Sequence, residues 1–228
     1  MTTKKNRSNL DSPRTLASPC DLHDLQRWVQ NEIGTIDEIP MRTVVSDVCR
    51  SIDAWVRLPR EAVLLWQGCV RGGNTKYHTY PVNLKQHLKS LKITEDGRAN
   101  GPAITAFAVA GGERPSRYGS QNAWSIHHLY SGKFPYPGHT DTFHAVKEER
   151  HFSQSAGLVA IHPVADALCD EYPCVAWLLR AKAFLQFGYD PDAAFSQERH
   201  DEHGFVSGKS PQVLHMGQPP ESDPALFR

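Results

Sequence analysis

The chain has 228 residues with 25 basic and 25 acidic side chains, and its isoelectric point lies near 7.2. This balance excludes a global electrostatic attraction to nucleic acid or to a membrane surface, and the length suffices for one sizeable domain or two small ones. No run of 18 apolar residues occurs, and the first residues are polar rather than like the apolar core of a signal peptide. We therefore expect a soluble, cytoplasmic protein that does not enter membranes.

The first hundred residues carry mainly helical patterns. Residues 1–20 are rich in Ser, Thr, Pro and Lys and predict a disordered tail, whereas residues 21–100 predict a mainly helical region. Helices are predicted after the capping residue Asp21, from Arg42 to Leu58, from Arg60 to Val70, and around Leu84 to Leu91.

One part of this region has a local excess of positive charge. Between Arg57 and Arg98 there are eight Lys and Arg residues against three acids, a net charge of about +5. Lys85, Lys89 and Lys92 are spaced to share one face of a helix. The sequence predicts either a surface that docks nucleic acid, here double-stranded DNA, or a helix that these lysines simply keep soluble.

After residue 100 the patterns become β-like. The segment 103–110 is apolar and predicts a buried strand, and further strands are predicted at 124–130, 142–146 and 158–161. Helices follow at 164–171 and 174–187, and a polar tail is predicted from 196 to 228. We therefore predict an α+β protein: a helical N-terminal portion, and a catalytic region at 101–195 containing a small β-hairpin-plus-helix module.

Six of the twelve histidines fall between residues 127 and 162, among them the adjacent pair His127 and His128. Histidine is the commonest transition-metal ligand and titrates near neutral pH, so this cluster favours a chemical role. Neighbouring residues of a strand point to opposite faces, so one histidine of the pair can equally be a hydrogen-bonded core residue.

The order of elements around the pair suggests a family. A strand ending in His127-His128 is followed by the apolar strand Gly157-Leu-Val-Ala-Ile161, and then by a helix with Asp166 on its first turn. Over residues 120–175 this order resembles the His-Me finger, or HNH-type, nucleases, in particular variants with a His-His dipeptide on the first strand. Gly157 stands where that family usually has Asn, and Asp166 where it usually has His.

The resemblance implies a role for each residue. His127 would bind a single divalent metal, Mg²⁺, Mn²⁺ or Zn²⁺, and His128 would be the general base that takes a proton from water. Asp166 would be the metal ligand on the helix, with His162 as a substitute ligand or a substrate contact. Lys133 is a candidate phosphate contact. These assignments predict a metal-dependent endonuclease that hydrolyses phosphodiester bonds.

Other interpretations stay open. Asp166 can instead be a carboxylate favoured by the helix dipole, and the histidines can be packing residues or a zinc site in a non-enzymatic protein. A metal-dependent hydrolase with a small substrate is a third possibility. The five cysteines are odd in number with no C-x-x-C motif, which favours reduced, buried thiols. Cys169 or Cys174 could also act as a nucleophile with a distant histidine, although their apolar surroundings favour burial.

Overall fold

The computed structural model describes a fold in which short strands lie between helices. The described residues are 21–64, 101–112, 118, 124–135, 143–145, 148 and 150–209, together with the backbone of 70–71, 78–79 and 212–213. The α+β class predicted from the sequence is confirmed.

A carboxylate cap starts the first helix. Helix α1 spans Leu22–Gly34, and the side chain of Asp21 accepts a hydrogen bond from the backbone N–H of His23 at 2.8 Å. This bond satisfies one of the N–H groups that a helix start leaves unpaired. The helix predicted after Asp21 is therefore confirmed. Its buried residues recur about one turn apart: Leu25, Val29 and Ile33.

The long helix predicted from Arg42 to Leu58 is interrupted. Helix α2 spans Ile39–Arg50, the short helix α3 spans Ile52–Trp55, and strand β1 spans Val56–Arg57. The prediction was wrong for the last residues because β1 pairs with a strand about a hundred residues later, which local periodicity cannot reveal.

The described residues at the two ends of the helix predicted from Arg60 to Val70 include short strands, and residues 65–69 lie outside the described residues. Strand β2 spans Val63–Leu64, and strands β3, Val70–Arg71, and β4, His78–Thr79, pair with each other in antiparallel fashion. The helix predicted around residues 84–91 lies outside the described residues.

The segment predicted as a strand at 103–110 forms helix α4, which spans Gly101–Gly111. That prediction was wrong because a short run of apolar residues has no periodicity that separates a buried strand from a buried helix. Four alanines in the run favour the helix, since alanine has the highest helix propensity.

Three strands form the sheet that carries the candidate site. Strand β5, Ser125–His128, is antiparallel to strand β6, Leu158–Ile161, and β1 pairs with the other edge of β6. The strands predicted at 124–130 and 158–161 are confirmed. The strand predicted at 142–146 is represented among the described residues by a single bridge between His144 and Ser131.

Two helices follow the sheet where the sequence predicts them. Helix α5 spans Pro163–Glu171 and helix α6 spans Pro173–Phe187, each with a proline at its first turn, where the missing N–H costs nothing. Helix α6 ends at Gly188, whose φ of +68° is a left-handed conformation that suits glycine.

The two faces of the sheet are covered by different helices. On one face, Val159 and Ile161 of β6 lie in an apolar cluster with residues of α1, α2, α5 and α6. On the other, Leu158 and Ala160 lie in a smaller cluster with Phe107 of α4. Successive residues of β5 and β6 therefore enter different environments, and every residue of β6 is buried.

The segment from residue 196 to 209, predicted as the start of a polar tail, belongs to the folded structure. Phe205 is fully buried, and the buried carboxylate of Asp190 accepts hydrogen bonds from three backbone N–H groups at residues 194–196. Strand β7, Gln212–Val213, then pairs in parallel with β2. The apolar residues here are too sparse to form a periodic pattern, so the sequence does not reveal their burial.

Candidate functional site

The structure brings His127 and Asp166 into direct contact. His127 lies on β5 and Asp166 on the first turn of α5, and Nδ1 of the imidazole is 2.8 Å from Oδ1 of the carboxylate. The two side chains are 15% and 34% exposed, so the pair lies at the edge of the protein interior. Two residues that the sequence assigned to one site, 39 positions apart, therefore do share one.

Ser125 holds the second oxygen of the carboxylate. Its hydroxyl donates to Oδ2 of Asp166 at 3.1 Å, and it lies two residues before His127 on β5, hence on the same face of the strand. Burial alone would raise the pKa of Asp166, but the hydrogen bonds from His127 and Ser125 outweigh it, and the pKa is lowered. Asp166 is therefore ionised at neutral pH.

Cys169 contacts the other nitrogen of the same imidazole. Its Sγ lies 3.6 Å from Nε2 of His127, and it is three residues after Asp166 on α5, so both side chains meet the ring from one helix. Burial lowers the pKa of His127, yet the bonds to Asp166 and Cys169 outweigh burial and raise it to about 10. His127 is therefore an imidazolium in this arrangement. Ser125 was not predicted as a site residue from the sequence, and neither was the contact between Cys169 and His127.

His128 is placed away from this pair. Strand alternation turns it to the α4 face, where it is only 6% exposed and stacks on Phe152 with ring centroids 5.2 Å apart. Its Nε2 lies 3.1 Å from the carbonyl oxygen of Phe152, which can only accept, so Nε2 carries the hydrogen. In a neutral ring, Nδ1 is then the nitrogen with the lone pair. The structure does not bring the predicted base beside the predicted ligands.

His162 caps the helix that carries Asp166. Its Nδ1 accepts a hydrogen bond from the backbone N–H of Val164 at 3.4 Å, which leaves Nε2 as the N–H donor of a neutral ring. The ring also contacts Trp55 and Trp124 edge-on. His162 thus lies one helical turn before Asp166, but its Nδ1 is already used as a cap rather than as a metal ligand.

One of the four lysines predicted to bind nucleic acid, Lys133, lies in the described part of the chain. Lys133 is exposed and its Nζ lies 2.8 Å from Oδ1 of Asp170, and its charge helps to lower the pKa of Asp166. It therefore lies on the side of α5 that carries the site. Lys85, Lys89 and Lys92 lie outside the described residues.

Two other described histidines of the cluster, His144 and His151, do not converge on His127, and His139 lies outside the described residues. His151 is buried, and its Nδ1 lies 3.0 Å from the hydroxyl of Tyr189. His144 lies near Gly132 in a bridge to Ser131. Across the described segments, no group of three or more His, Cys, Asp and Glu side chains is arranged to hold a metal ion.

The donor chemistry of the His127–Asp166 pair nevertheless fits one hard or borderline cation. One imidazole nitrogen and one carboxylate oxygen, completed by water, are a ligand set that Mg²⁺ or Mn²⁺ accepts. Because the hydrogen between Nδ1 and Oδ1 occupies the same position, a cation that binds there must displace it. The other ring nitrogen, Nε2, faces Cys169 on the opposite side of the ring. A cation bound between Nδ1 and Asp166 therefore cannot also be bound by Cys169.

Comparison with known proteins finds no matching protein family, no matching characterised protein and no matching solved structure. None of the helices in the described part of the chain is both long enough and apolar enough to cross a membrane.

Proposed function

We propose that this chain is a metal-dependent nuclease whose metal ligands are His127 and Asp166. The observation that carries the proposal is the 2.8 Å contact between a strand histidine and a carboxylate on the first turn of the following helix. The order β5, β6, α5, with β5 and β6 antiparallel, supports it, because this is the order that the resemblance implies. The cytoplasmic location predicted from the sequence is part of the same proposal.

Each residue around the pair has its own role in phosphodiester hydrolysis. A divalent cation at this position supplies positive charge that offsets the charge developing on the phosphate and on the leaving oxygen. Ser125 fixes the orientation of Asp166 through Oδ2 and leaves Oδ1 to face His127. His162 offers Nε2–H as a donor to a phosphate oxygen.

The role of general base that the sequence predicts for His128 stays a prediction, because His128 is buried on the face of β5 opposite the His127–Asp166 pair. Its bond to the Phe152 carbonyl places the hydrogen of a neutral ring on Nε2. A base that acts on a water at the His127–Asp166 pair has to lie on the α5 face of the sheet, and His128 lies on the α4 face.

Cleavage by ligand variants tests this proposal. The purified full chain is stripped of metal, supplied with Mg²⁺ or Mn²⁺, and assayed for nicking of plasmid DNA and cleavage of labelled single strands. Asp166→Asn and His127→Ala should lose about 100-fold or more of the rate and most of the metal affinity. Asp170→Asn, which removes an exposed acid one turn further along α5, is the matched control and should cleave normally.

Two results would overturn the proposal: the absence of cleavage by the unmodified chain with every metal tested, or equal cleavage by the Asp166→Asn and unmodified chains. Absence of both cleavage and metal binding would favour the non-enzymatic interpretation. Metal binding without nucleic acid cleavage would favour a small-substrate hydrolase.

A second candidate function has one specific observation in its favour. Asp166, His127 and Cys169 follow one another in the order carboxylate, imidazole, thiol, with contacts of 2.8 and 3.6 Å. This is the order in which an imidazole takes a proton from a cysteine nucleophile and a carboxylate orients the imidazole. Cys169 is only 3% exposed, which disfavours attack on a large substrate.

Cys169→Ala separates the two candidates. The nuclease proposal expects metal-dependent cleavage to persist in this variant, since Cys169 meets the nitrogen that does not face Asp166. The thiol candidate expects loss of activity on an acyl ester, and loss of rapid alkylation by iodoacetamide at that cysteine.

A further inference from the structure

Two tryptophans, a histidine and an arginine meet at one end of the sheet, where β6 passes into α5. The backbone N–H of His162 donates to the carbonyl of Trp55 at 2.9 Å, and Ser125, the residue after Trp124, pairs with Ile161. The rings of Trp55 and Trp124 contact the ring of His162 at centroid distances of 5.3 and 6.2 Å. We call Trp55, Arg57, Trp124 and His162 the aromatic rim.

Arg57 covers the face of one of these rings. Its guanidinium carbon lies 4.6 Å from the ring centroid of Trp124, a cation–π contact, and its side chain is exposed. Within the described part of the chain, no ion pair joins Arg57 to a carboxylate. A planar cation is therefore held on an indole, and no carboxylate among the described residues pairs with it.

The rim adjoins the ligand pair along the chain, with Trp124 packed against the apolar cluster on the α4 side of the sheet. Trp124 precedes Ser125, whose hydroxyl holds Asp166, and His162 precedes Asp166 by one helical turn. The side chains of Trp55, Trp124 and His162 are partly exposed, and Nε1 of Trp55 is anchored to the hydroxyl of Ser51 at 3.3 Å. Anchored aromatic groups lose little conformational entropy when a planar ligand stacks on them.

We propose that the aromatic rim binds one unpaired nucleobase of a single-stranded nucleic acid, with Arg57 contacting the adjacent phosphate. This inference rests on the proposed nuclease function and names its substrate class. Bases in a duplex have both faces stacked on neighbouring bases, whereas an unpaired base has a face available to an indole or a guanidinium plane. The exposed positive charge of Arg57 supplies the electrostatic complement to a phosphate.

The experiment measures binding without cleavage. The full chain in a chelator is titrated into three fluorescent probes of equal length and followed by anisotropy: a single-stranded oligonucleotide, an abasic strand with the same phosphates, and a duplex. The single strand should bind about tenfold more tightly than the abasic strand, which corresponds to about 1.4 kcal/mol from one stacked base. Trp124→Leu should remove that difference while leaving binding to the abasic strand unchanged.

Arginine variants keep the proposal testable if Trp124→Leu does not fold. Arg57 is exposed, so Arg57→Gln leaves the core intact and should weaken binding to both the single strand and the abasic strand. Arg57→Lys keeps the charge without the planar group, and should bind the abasic strand normally while losing part of the preference for bases. Arg60→Gln, at an exposed arginine three residues away, is the matched control and should change neither.

The outcomes separate this inference from the proposed function. Equal affinity for the single strand and the abasic strand, or tighter binding to the duplex, would overturn the rim as a base-binding site even if the chain cleaves nucleic acid. Base-dependent binding that needs Trp124 and Arg57 would support the rim, and would do so even if no metal yields cleavage and the nuclease proposal fails.

Discussion

His127 and His128 are adjacent in sequence and identical in chemistry, yet they occupy opposite environments. His127 lies on the α5 face of β5 between a carboxylate and a thiol, and these neighbours raise its pKa to about 10. His128 lies on the α4 face, stacked on Phe152 and bonded to a carbonyl. The alternation of a β-strand alone separates them. Because the residue type is the same, the face of the strand on which each histidine lies determines its protonation and chemistry.

The largest effect on stability is expected from His128→Ala. The change leaves a cavity against Phe152 and removes the hydrogen bond to its carbonyl, which together should lower the free energy of unfolding by about 3 kcal/mol. Urea denaturation measures this loss. His128→Gln keeps a donor of similar reach for the carbonyl, so it should lose less stability while still removing a base.

The stabilities of two variants test the difference between the two faces of β5. His127→Ala affects a residue at the edge of the interior and should cost less stability than His128→Ala. Equal losses at the two positions would contradict the difference in burial. If His128→Gln folds normally and cleaves nucleic acid at the full rate, His128 is not the base.

A smaller effect, with a definite pH dependence, is expected from Asp166→Asn in metal-free protein. His127 titrates near 6.5 in an unfolded chain and near 10 in the folded one, so its pairing stabilises the fold fully below about pH 6.5. That stabilisation disappears as the pH rises through about 10. The unmodified and Asp166→Asn chains should therefore differ by about 1 to 2 kcal/mol near pH 6, and by less toward pH 10.

Denaturation of both chains in a chelator at pH 6, 8 and 10 measures this difference. Because the pKa of Asp166 is lowered, the same difference should also shrink when the pH falls below about 4, as the carboxylate becomes protonated. Asp170→Asn is the control, since its exposed pair with Lys133 should contribute about 0.5 kcal/mol or less. A difference that stays constant from pH 6 to 10 would show that His127 is neutral.

The smallest effect is expected from Ser125→Ala. This change removes one hydrogen bond to Oδ2 of Asp166 and should cost about 1 kcal/mol or less of stability. If Asp166 is a metal ligand, loss of this bond leaves its carboxylate less firmly oriented, and metal affinity should fall by about tenfold. Isothermal titration with Mn²⁺ measures this, and Ser51→Ala, which removes a hydroxyl bonded to Asp47 and Trp55 rather than to Asp166, is a control for loss of a serine.

Much of the local structure could be predicted from the sequence, because the deciding interactions are local there. The cap at Asp21 and the proline starts of α5 and α6 act within one helical turn, and the helices follow as predicted. The end of the predicted helix at residue 58 could not be foreseen, because Val56 becomes a strand residue only by pairing with Ile161.

The candidate site was predictable only in part. The contact between His127 and Asp166 follows from the order of two strands and a helix, which the sequence displays. Ser125 lies two residues before His127, so the two share a face of the strand, and Cys169 lies three residues after Asp166, so the two share a face of the helix. These spacings identify site residues only when it is known that this face of the strand packs against this face of the helix. The burial of His128 depends on helix α4, which the sequence analysis had assigned as a strand.

The strand order β1, β6, β5 also sets the moment in synthesis at which the site can form. The central strand is the last of the three to be made, so Val56 and Ser125 must both wait for Ile161. Asp166 follows, and helix α6, against which α1 packs, is made later still. Pairing over such separations costs loop-closure entropy and slows folding. A nascent or prematurely ended chain that stops before Asp166 therefore lacks the His127–Asp166 pair altogether.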